Sequence, residues 1–62
     1  MSARAELSSV STAVEDLLKR VTEIVDGLAS QERGLMGPDL FEVERSLRSA
    51  QRRLRRIVDK IA

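Results

Sequence analysis

The chain has 62 residues, carries eleven Lys and Arg against ten Asp and Glu for a net charge of +1, and contains no His and no Cys. That composition excludes a disulfide framework, the usual zinc sites, and catalysis built on His or Cys. A chain this short buries only about 60% of its unfolded surface, so the missing support is expected from self-association or from another protein.

One Phe and no Trp or Tyr make the core aliphatic. No apolar run approaches the ~20 residues that span a bilayer, and the N-terminal residues lack the apolar stretch of a secretion signal. With cysteine absent as well, the expectation is a cytoplasmic protein with no membrane contact.

The first predicted element is a helix over about residues 4–33. Leu7, Val14, Val21 and Leu28 repeat every seven positions, and Val10, Leu17 and Ile24 repeat three residues on. Alternating steps of three and four put both rows on one side of a helix packed along its length. Leu18 and Val25 widen that stripe beyond what one neighbouring helix covers, which predicts a bundle of four. Ser8, Ser9, Ser11 and Thr12 soften the early turns, and Thr12 with Glu15 offers an internal capping box.

Carried past Leu28, the same frame asks for an apolar residue at 42, where Glu42 stands. A turn is therefore expected, and Gly34, Leu35, Met36 and Gly37 place it at 34–37. Pro38 suits the first position of a second helix, with Asp39 and Glu42 as its capping box. Leu35, Met36 and Phe41 are expected to close the end of the bundle at this tip.

The second helix is predicted over about 38–61, with Leu40, Leu47, Leu54 and Ile61 in one row and Val43, Ala50 and Ile57 in the other. The expected fold is all-α and a single domain over 1–62. It is an antiparallel two-helix hairpin that dimerises about a two-fold axis into a four-helix bundle.

Charge divides between the halves. Residues 1–33 hold four basic and six acidic side chains, for −2, and residues 34–62 hold seven and four, for +3. Arg45, Arg48, Arg52 and Arg55, joined by Arg56, run along the second helix on the side expected to face away from the apolar rows. Some of this charge belongs to pairs along one helix, such as Glu44–Arg48, Arg55–Asp59, Glu15–Lys19 and Asp16–Arg20, each worth about 0.2–0.5 kcal/mol. The rest offers an outward contact for an acidic face on another protein. The alternative is phosphate recognition, of nucleic acid or a cyclic nucleotide, because guanidinium groups grip phosphate bidentately. No aromatic side chains alternate with the arginines for base stacking, so nucleic-acid binding would be weak and salt-sensitive.

The Ser- and Arg-rich second helix faintly resembles the actinobacterial anti-sigma hairpins that bind cyclic di-GMP. Their spacing is Glu, Ser four on, Arg seven on, Gln eleven on and Asp fifteen on. Counted from Glu42, Ser46 fits, whereas Ser49, Arg53 and Ile57 depart; counted from Glu44, Asp59 alone fits. The resemblance implies a cyclic-nucleotide ligand, but it carries over no ligand residue. No catalytic motif, metal-ligand set or glycine-rich phosphate loop is present, so the expectation is a non-enzymatic regulator or adaptor without a cofactor.

Overall fold

The computed structural model describes residues 2–61, and these form two α-helices packed against each other, α1 (Ala3–Asp26) and α2 (Ser30–Lys60), with no strand among them. Ser2 caps α1, its Oγ accepting the Ala5 N–H at 3.2 Å. The serines that soften the next turns do not delay the helix. Thr12 is internal and donates its hydroxyl to the Ser8 carbonyl at 3.2 Å rather than capping a later start.

The turn is not where the glycines and proline placed it. Gly27 ends α1, its N–H shared between the Glu23 and Ile24 carbonyls, and the chain reverses over residues 27–29. Ala29 is extended and opens α2. The Glu32 carboxylate reaches back to accept the Ala29 N–H at 3.0 Å. This is half a capping box, because Ala29 has no side-chain oxygen to return the bond. Residues 34–37, expected as the turn, lie inside α2, and so does Pro38. The expected boundaries of 4–33 and 38–61 are thus corrected to Ala3–Asp26 and Ser30–Lys60.

Nothing in the backbone requires glycine at the old turn. No described residue has a positive φ, and a Cβ added at Gly34 would meet nothing within 4 Å. Pro38 lacks an N–H, so the Gly34 carbonyl loses its helical partner, a defect that costs about 3 kcal/mol in a helix interior.

The unequal helices explain how this is accommodated. At 1.5 Å per residue α1 is about 36 Å long and α2 about 46 Å, and the long dimension of the molecule is 46 Å. Ser8, Ser11, Thr12 and Glu15 line one depression with Arg55 and Val58, so the start of α1 lies beside the end of α2. The start of α2 therefore projects past the end of α1. Residues 30–36 are all exposed, and Gly37 is the first half-buried position of the helix. Leu35, at 81% exposure, does not close the bundle end.

The seam between the helices is formed by Leu7, Ser11, Val14, Leu18, Val21 and Val25 of α1, continued by Leu28 of the turn. Opposite them run Gly37, Leu40, Glu44, Leu47, Gln51, Leu54 and Val58 of α2. Both sets step by three and four, so the heptad reading holds. The partner row differs from the expected one. Leu18 and Val25 belong to the seam itself, whereas Val10, Leu17, Ile24, Val43 and Ile57 are between 43% and 54% exposed, and Ile61 is exposed too. Glu44 is the one buried residue described, at 6% exposure, and no apolar side chain is fully buried.

Candidate functional site

Helical periodicity sorts the remaining residues onto two open sides of the hairpin. Val10, Leu17 and Ile24 each follow a seam residue by three positions, and so do Val43, Ala50 and Ile57. In an antiparallel pair, positions with the same offset from the seam lie on the same side of both helices. The two rows therefore share one broad apolar face. They are also level with each other, because the register that sets Ser11 and Glu15 beside Arg55 and Val58 brings Leu17 level with Ala50.

The other side is polar. Ser8, Glu15 and Thr22 on α1, and Phe41, Arg48 and Arg55 on α2, each follow a seam residue by one position. Arg45 and Arg52 stand just beyond them. The depression shared by Ser8, Thr12, Glu15 and Arg55 lies on this side and confirms that the two helices present it together. Phe41, Arg45, Arg48 and Arg52 line an open hollow of about 380 Å³. Phe41 is 59% exposed and heads the arginine row rather than closing the bundle tip.

The periodicity predicted these arginines on the outer back of α2, away from the apolar rows; they stand instead beside the seam, on the side opposite the open apolar face. Arg48 donates to Glu44 at 3.3 Å, the expected pair, and Arg45 lies 3.7 Å from Glu42. Among the described residues, Arg55–Asp59, Glu15–Lys19 and Asp16–Arg20 do not reach ion-pair distance, and Arg52, Arg55 and Arg56 form no ion pair. A second groove of about 620 Å³ runs along the outer flank of α2, between Glu42, Ser46, Ser49 and Arg53 on its polar margin and Ala50 and Ile57 on its apolar one.

Sequence reasoning missed Ser11, Glu44, Gln51 and Val58 as seam residues. The signal was present, since Glu44 is four residues past Leu40 and three before Leu47, but the apolar Val43 was the stronger candidate for the same role. The hairpin buries the weaker row. It covers Glu44 and half-covers Gln51 while Val43 and Ile57 stay open.

The elongated hairpin exposes more surface than a compact chain of its mass. The chain exposes 4891 Å², where a compact monomer of its mass exposes about 4,000 Å² by the general scaling, an excess of roughly 900 Å². A standard protein interface buries about 800 Å² on each partner. Comparison with known protein families, curated proteins and solved structures finds no match to this chain. No helix among the described residues is long and apolar enough to cross a membrane.

Proposed function

We propose that this chain is a non-enzymatic protein-interaction module, a regulator or adaptor that works as a homodimer. Two hairpins join through their apolar faces into a four-helix bundle, leaving the arginine face outward for an acidic surface on another protein. One observation carries the reading: the hairpin shields Glu44 while Val43, Ile57, Val10, Leu17 and Ile24 stand open on one side. A free monomer gains nothing from that choice of rows. An assembly that covers both the seam and the open face buries every apolar residue of the heptads. Dimerisation also leaves Phe41 and the arginine row uncovered, which is why the outward contact is assigned there. The lack of cysteine fits a reducing compartment, and we place the module in the cytoplasm.

Two measurements test the two halves. Light scattering should give twice the chain mass for the native protein and the single mass for Leu17→Glu. A combined Arg45, Arg48, Arg52 and Arg55 to Glu variant should keep its helicity and dimer mass but lose its protein partner in cross-linking from cells. If that variant keeps the partner, the arginine face has no part in binding. Titration of labelled DNA, RNA and cyclic dinucleotides at two salt concentrations addresses the alternative. Saturable binding that the same four substitutions abolish would move the assignment to phosphate recognition.

A further inference from the structure

The geometry points to one particular dimer, in which α1 of each copy lies over α2 of the other and both turns sit at the same end; the inference rests on the dimer reading above. Two hairpins can place their apolar faces together about a two-fold axis in two ways. An axis along the length stacks α1 on α2 of the second copy. An axis across the length stacks like on like, α1 on α1 and α2 on α2, with the turns at opposite ends. Both arrangements make all neighbours antiparallel, so helix dipoles do not choose between them.

Charge does not choose either. α2 owes its +3 to Arg45, Arg48, Arg52 and Arg55, which stand on the far face, whereas the outer rim of the apolar face carries Glu6 and Arg20 on α1 and Asp39, Arg53 and Lys60 on α2. The axis along the length brings Glu6 of one copy beside Lys60 of the other, and the crossed arrangement brings Asp39 beside Lys60, so each offers a contact of opposite sign.

Side-chain size does. With the axis along the length, levels are preserved, so Leu17 faces Ala50 of the second copy, Val10 faces Ile57 and Ile24 faces Val43. A large residue then meets a small one at the centre, which is how facing layers interdigitate. The crossed arrangement sets Leu17 on Leu17 and Ala50 on Ala50, with crowding on one side of the axis and a gap on the other.

The absence of cysteine makes a clean test. Leu17→Cys and Ala50→Cys are prepared separately, mixed and mildly oxidised, and the products are separated without reductant. Mixing should yield a covalent dimer, whereas Leu17→Cys alone should yield none, because its two thiols would lie on diagonally opposed helices beyond disulfide reach. Efficient cross-linking of Leu17→Cys alone would overturn the arrangement while sustaining the dimer. No cross-link in either sample, with light scattering showing the single chain mass, would overturn both. No cross-link at dimer mass would overturn the assigned contact. Circular dichroism on the same samples checks folding, and the pair Val10→Cys with Ile57→Cys repeats the test should either first variant unfold.

Discussion

The two open faces of this hairpin lie the same short distance from the seam, one offset by three residues and the other by one, yet their chemistry is opposite. The first presents Val10, Leu17, Ile24, Val43, Ala50 and Ile57, and the second presents Phe41, Arg45, Arg48, Arg52 and Arg55 beside Ser8 and Glu15. Apolar area exposed at this density is worth about 25 cal/mol for each Å² that a partner removes from water. An exposed arginine pair such as Arg45–Glu42, with both side chains mostly in solvent, contributes about 0–1 kcal/mol. On the proposed reading the first face therefore governs stability and assembly, and the second can change with little structural penalty. A face that is inexpensive to alter and rich in guanidinium groups is suited to partner choice, whereas in the proposed dimer the apolar face completes the fold.

Substitutions that separate these roles should have effects of very different size. Leu17→Glu places a charge at the centre of the apolar face, and burying it unpaired costs several kcal/mol. It should raise the dimer dissociation constant at least about a hundredfold, equivalent to ~2.7 kcal/mol, read by sedimentation. Glu44→Leu fills a seam position with the residue type its neighbours Leu40 and Leu47 already have. Its partner Arg48 is 54% exposed and is left in solvent rather than stranded, so the change removes the desolvation cost of a buried carboxylate; chemical denaturation should show a higher midpoint, and a lower one would mean that Glu44 holds an essential partner. The quadruple Arg-to-Glu variant should show the smallest structural effect. Its denaturation midpoint should change little while partner binding is lost, and a collapse of helicity would erase the distinction between the faces.

A third region sharpens the comparison because it belongs to neither face. Residues 30–36 project beyond α1 with every side chain exposed, followed by Gly37 and Pro38 within the same helix. Gly34→Ala should stabilise α2 by about 1 kcal/mol, since a Cβ there meets nothing and glycine is the poorer helix former. Destabilisation instead would locate the true reversal at 34–37.

The heptads at Leu7, Val14 and Val21 and at Leu40, Leu47 and Leu54 disclosed the two helices, because seven-residue spacing gathers aliphatic side chains on one side of a helix, and the short connection between them made the packing antiparallel. The position of the turn was not legible. Gly34, Gly37 and Pro38 are the stronger local signals, but in the structure Gly27 and the Glu32 bond to Ala29 set the reversal. The identity of the seam was not legible either, because each helix has two rows able to pack. Hydropathy favours Val43 over Glu44, and only the pairing of the helices shows that Glu44 faces inward. The arginine row was visible as a stripe, but its junction with Phe41 depended on knowing which side of α2 meets α1.

The measurement closest to the central claim is light-scattering mass across a wide dilution series, with helicity followed by circular dichroism on the same samples. If the apolar face is half of a core, the protein should be a helical dimer, and mass and helicity should fall together as it is diluted. A chain that remains fully helical at the single mass would contradict the account, since the hairpin would then be stable with Val10, Leu17, Ile24, Val43 and Ile57 in water.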